Sequence, residues 1–105
     1  MGKYLLTYTG DATPPASEEE GQAVMSAWMA WFGTLGDAVV DGGNPTDASK
    51  TVGTDGSVSD GTTGGVTGYS VISADSLEAA TELARSCPHL AAGGVVEVYE
   101  TVEIM

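Results

Sequence analysis

The chain predicts an α+β fold of the ferredoxin-like kind, a split βαβ sandwich whose antiparallel sheet carries two helices on one face. Three observations predict it. Both ends read as strands, over residues 3–9 and 95–104. Two amphipathic segments, 17–36 and 75–86, lie between them. A strand region in two parts fills the middle, so strand followed by helix occurs twice. In that architecture the second face of the sheet is bare. Apolar residues from both terminal strands reach it, and a monomer would expose them as one patch. A homodimer with two-fold symmetry, sheet against sheet, is therefore expected.

Residues 3–9 alternate: Tyr4, Leu6 and Tyr8 share one face, Leu5 and Thr7 the other. Pro14 and Pro15 then mark a loop. Ser17 and Glu20 stand at capping-box spacing, worth about 1 kcal/mol. Val24, Trp28, Trp31 and Leu35 follow as one helical stripe, with Met25, Met29 and Phe32 as a second beside it. An apolar arc so wide belongs to a helix that is deeply packed or shared with a partner. Gly36 is its terminator.

Ala38-Val39-Val40 reads as a short strand, broken by Asp41-Gly42-Gly43-Asn44-Pro45, and Lys50-Thr51-Val52 is placed to resume pairing. Residues 53–65 are rich in Gly, Ser, Thr and Asp and read as an exposed hairpin loop. The next strand spans 66–73. Asp75 and Glu78 form an acid/acid capping pair, and Leu77, Ala80 and Ala84 give the second helix its buried stripe. Pro88 is expected to end that helix, and Gly93-Gly94 to turn the chain into the last strand. There Val96, Val98, Val102 and Ile104 share a face, and Glu100 falls among them.

At 105 residues the chain is expected to be a single domain, 1–105. Fifteen acids against Lys3, Lys50 and Arg85 give a formal charge of −12, which disfavours nucleic acid and anionic membrane surfaces as partners. Cys87 is the sole cysteine and makes no internal disulfide, which fits a reducing compartment. No stretch is long or apolar enough to span a bilayer, and the amino end reads as a strand rather than a signal peptide, so a cytoplasmic location is expected.

Nine segments occur in a distinctive order: Tyr4-Leu5-Leu6, Trp28-Met29-Ala30-Trp31, Val40-Asp41-Gly42-Gly43, Lys50-Thr51-Val52, Ser59-Asp60-Gly61-Thr62, Gly68-Tyr69-Ser70-Val71-Ile72, Asp75-Ser76-Leu77-Glu78-Ala79-Ala80, Cys87-Pro88-His89 and Val96-Glu97-Val98. Together they resemble the YCII-related proteins, also called the DGPF-domain family. The resemblance covers nearly the whole chain. It implies a dimeric α/β barrel in which two sheets face each other. It also implies a loosely defined function: some relatives are proposed enzymes with a His/Asp pair in a cleft, and some are fused to sigma factors. One departure stands out. The signature Asp-Gly-Pro-Phe reads Asp60-Gly61-Thr62-Thr63 here, so the apolar contact of the Phe is missing.

His89, the single imidazole, suits general acid/base work near neutral pH. Its plain structural reading is a histidine after the helix that hydrogen-bonds a helix-end carbonyl or faces solvent. Asp41 precedes two glycines at a strand end. It either presents a carboxylate to a cleft where Gly42 lets a ligand approach the backbone, or simply initiates a turn. Glu100 either points into an inter-subunit cavity or is rotated to solvent by a bulge. Cys87 with His89 offers too few ligands for zinc, and no calcium-loop, phosphate-loop or dinucleotide pattern occurs, so no metal and no cofactor is expected. The leading expectation is a homodimer with a cleft for a small organic molecule, acting by cofactor-free acid/base chemistry. His89 and Asp41 are its proton-transfer partners and Tyr4 or Tyr69 its polar lining. The alternative is a non-catalytic binding, assembly or regulatory module with a regulatory protein partner.

Overall fold

A computed structural model describes residues 2–104. In chain order its elements are β1 (Gly2–Thr9), α1 (Glu18–Leu35), β2 (Val39–Asp41), β3 (Lys50–Val52), β4 (Val58–Asp60), β5 (Gly68–Ala74), α2 (Leu77–Ala84), α3 (Pro88–Ala91) and β6 (Val95–Glu100). Four strands make one antiparallel sheet in the order β2-β5-β1-β6. With α1 between β1 and β2 and with α2 and α3 between β5 and β6, this α+β arrangement is consistent with the ferredoxin-like class read from the sequence.

Strand alternation decides what the helices cover. Tyr4, Leu6 and Tyr8 of β1 are buried, as are Ile72 and Ala74 of β5. They form one core with Trp31 and Leu35 of α1 and with Ala80 and Ala84 of α2. The alanines have no bulk to hold α2 away from the sheet. The Trp31 indole N–H donates to the Leu83 carbonyl at 3.2 Å and to Ser86 Oγ at 3.1 Å, joining the two helices. Leu5, Tyr69, Val71 and Tyr99 alternate onto the opposite face, where Leu5 lies opposite Val71 on one side and Tyr99 on the other.

Ser17 caps α1, its hydroxyl accepting from the Glu20 N–H at 3.1 Å. The Glu20 carboxylate reaches one residue further back than a capping box requires, to the N–H of Ala16 at 2.7 Å. Gly36 ends the helix at φ +57°, its N–H bonded to the Phe32 carbonyl. The stripe is buried only toward the carboxyl end. Trp31 and Leu35 are enclosed, while Val24 and Met25 are exposed.

The structure corrects six readings. The second helix is capped by Ser76, whose hydroxyl accepts from the Ala79 N–H at 3.0 Å, and not by Asp75. That helix stops at Ala84, and Pro88 opens α3 instead of ending α2. Proline needs no N–H partner at a first helical position, so it serves there equally well. Residues 53–65 are not wholly loop, because β4 lies within them. Strand β3 pairs with β4 as a separate two-stranded hairpin and not with the main sheet. The last strand ends at Glu100, and Val102 and Ile104 lie exposed beyond it. Glu100 sits opposite Tyr4 in an unbroken register, so no bulge turns it, and it is exposed at the strand end.

Candidate functional site

A cavity of about 380 Å³ opens where α1, the loop after β2, the start of β5 and α3 meet. Met25, Trp28, Met29 and Phe32 of α1 form one wall. These positions recur at helical spacing, so one stripe of α1 packs on the core while the neighbouring stripe borders the cavity. Gly42, Gly43, Asn44 and Pro45 form a second wall, and Tyr8, Tyr69 and His89 complete the polar part. The rings are in mutual contact. Trp28 meets Tyr8 edge-on with centroids 5.1 Å apart, and lies 5.9 Å from Phe32.

The glycine wall is held by a specific turn. Asp41 Oδ1 accepts the N–H of Gly43 at 2.8 Å. Gly43 has φ +74°, and a Cβ there would stand 1.7 Å from the Tyr69 carbonyl oxygen, so only glycine fits. Asn44 then accepts the Tyr69 N–H at 3.3 Å, and Thr46 donates to Thr67 at 2.9 Å, which carries the chain along β5. Tyr8 O–H donates to Ser70 Oγ at 2.7 Å, and Ser70 donates to the Gly42 carbonyl at 2.8 Å. This relay ties β1, β5 and the loop together behind the cavity.

His89 is placed by α3, which begins at Cys87 and Pro88. The buried ring lies 5.5 Å from Tyr8, centroid to centroid. Its Nε2 is 2.7 Å from the Thr9 carbonyl oxygen. A carbonyl only accepts, so Nε2 carries the proton of this contact, and Nδ1 is the ring nitrogen that remains. A Cβ on Gly94 would lie 2.1 Å from Nε2, so glycine there gives the ring its seat. Among the described residues Nδ1 has no hydrogen-bond partner.

Burial pushes the Tyr8 hydroxyl up to about 12, against the opposing bond from Ser70. Burial likewise raises the Cys87 thiol to about 11, against the opposing N–H of His89. Cys87 is thus a protonated core thiol at neutral pH, not a nucleophile.

Of the residues singled out in the sequence, His89, Tyr69 and Gly42 border one cavity. Asp41 does not line it; its carboxylate braces the adjoining turn through Gly43. Tyr4 lies at the other end of β1, buried, its hydroxyl raised by burial and then by Glu100, Glu78 and Asp75. Neither Tyr4 nor Glu100 lines the cavity. Among the described residues no group of three or more His, Cys, Asp or Glu gathers at metal-binding distance, and no helix is long and apolar enough to cross a membrane. The sequence places Tyr8 on a strand face and Trp28 and Phe32 on the apolar stripes of α1, and singles out none of the three as a site residue. The overlooked signal was the width of the α1 arc, which exceeds what a single sheet face covers.

The family model of the YCII-related domain matches residues 5–105. No curated protein matches the chain.

Proposed function

Because the chain belongs to the YCII-related family, we propose that it works as a homodimer whose aromatic cavity takes a small organic molecule against His89. The carrying observation is the pairing of an apolar-walled cavity with an imidazole whose Nε2 is committed to Thr9 and whose Nδ1 is free. Nδ1 is then the proton acceptor of cofactor-free acid/base chemistry. Asp41 supports the same site by fixing the Gly42–Gly43 turn, and a partner for the proton comes from the bound molecule or from water.

A thermal-shift screen of small organic molecules tests this. Hits should raise the melting temperature of the parent and not of Gly42→Leu. The glycine is exposed to the cavity, its φ is not in the left-handed region, and a Cβ there meets only Phe32 at an ordinary 3.8 Å. Hits that stabilise both proteins equally sink the assignment.

One observation favours a non-catalytic binding module: the carboxylate of Asp41, next to the glycine wall, is already bonded to Gly43. Mass spectrometry of each hit after incubation separates the two readings. A molecule returned unchanged favours binding alone. Conversion lost in His89→Gln favours the enzyme.

A further inference from the structure

We propose that the ligand of this cavity is an uncharged, flat aromatic molecule bearing one hydrogen-bond donor. The inference rests on the reading of the cavity as the binding site and adds its chemical class. Among the described residues that line it, none is Asp, Glu, Lys or Arg. A formal charge of either sign would enter an apolar space without a counter-charge, and burying an unpaired charge is strongly unfavourable. Anions meet a second barrier, the field of a chain carrying −12. The walls explain the shape. Trp28 and Phe32 offer ring surfaces, and Met25 and Met29 offer flexible thioethers that adapt to a ring edge. His89 explains the donor. With Nε2 donating to Thr9, Nδ1 is the ring nitrogen left without a partner among the described residues, and an unprotonated Nδ1 accepts a hydrogen bond.

Two fluorescent probes with one skeleton isolate the charge: N-phenyl-1-naphthylamine, which is neutral, and 8-anilinonaphthalene-1-sulfonate, which adds a sulfonate. Each is titrated into the full chain, into Gly42→Leu and into Met29→Lys. Met29 is exposed at the cavity rim, so lysine there adds a cation without disturbing the core. The neutral probe should bind the parent at least about tenfold more tightly than the sulfonate. Gly42→Leu should abolish that binding, and Met29→Lys should strengthen sulfonate binding and narrow the gap. Raising the salt concentration should narrow the gap in the parent as the chain's field is screened. Equal affinities, both lost in Gly42→Leu, overturn the charge class while leaving the cavity as the site. Binding of both probes that survives in Gly42→Leu, or of neither to any form, overturns the cavity reading itself and this inference with it.

Discussion

A carbonyl oxygen cannot donate, so one contact, Nε2 to Thr9 at 2.7 Å, assigns the tautomer of His89. Gly94 makes that contact sterically available. Gly94→Ala should therefore push the ring off Thr9, and the change should appear in the imidazole proton and nitrogen shifts, which are unambiguous because the chain has one histidine. Unchanged shifts in the folded variant would exclude this seat. Trp31 and Trp28 differ in consequence. Trp31 is enclosed and doubly hydrogen-bonded, so Trp31→Ala should cost about 3–5 kcal/mol in urea denaturation, and half-buried Trp28 distinctly less. Tyr8 and Cys87 set the alkaline limit. Both hold their protons more tightly folded than unfolded, with values raised from 10.0 to about 12 and from 9.0 to about 11. Their contribution is complete below pH 9.0 and is lost as the pH climbs toward about 11 and then about 12. Melting temperature followed across that window should fall, and Tyr8→Phe with Cys87→Ala should flatten the fall. At this scale His89 was legible as the lone imidazole. Its acceptor was not, because Thr9 lies eighty positions earlier and offers a backbone group with no signature in the sequence.

Caps and turns set the boundaries of the elements, and there the sequence was read least well. Asp75 and Ser76 are both good capping residues and adjoin each other. Only backbone geometry selects the serine, which is extended at φ −157° and accepts the Ala79 N–H. Ser76→Ala should therefore destabilise the protein by about 1 kcal/mol while Asp75→Ala leaves it nearly unchanged, as measured by chemical denaturation. Pro88 has the same ambiguity, since proline suits the residue after a helix and the first residue of one. The β3–β4 hairpin was hidden by composition. Val52 and Val58 are its only large apolar residues, both exposed. Lys50 meets Asp60 across it at 2.6 Å, and Thr51 bonds the Gly61 carbonyl at the same distance. Such pairs leave no hydrophobic periodicity to detect. The longer elements were plain, because Tyr4-Leu6-Tyr8 and Trp28-Trp31-Leu35 carry the two periods that a strand and a helix need. The same Trp28 turn also carried the site. A helix with more apolar surface than its sheet can bury has the remainder free to line a cavity.

For the whole molecule, the order β2-β5-β1-β6 leaves Leu5, Tyr69, Val71 and Tyr99 on a face away from the helices. Pairing of two such faces predicts a dimer mass in light scattering coupled to size exclusion at micromolar concentration. A Leu5→Glu or Val71→Glu variant should shift the protein toward monomer. A parent that elutes as a monomer would contradict sheet-to-sheet assembly. The expectation of two-fold assembly rests on the apolar content of both terminal strands. The cavity is not legible there, because it is assembled from five segments far apart in the chain, one of them the Gly42–Pro45 turn. Occupation of this cavity by a small molecule against His89 is tested by nitrogen-15 NMR of the imidazole during titration with N-phenyl-1-naphthylamine. A saturable shift centred on Nδ1 is expected, with Nε2 still bonded to Thr9, in step with the probe's fluorescence. Probe binding that saturates while both imidazole nitrogens stay where they were would contradict it.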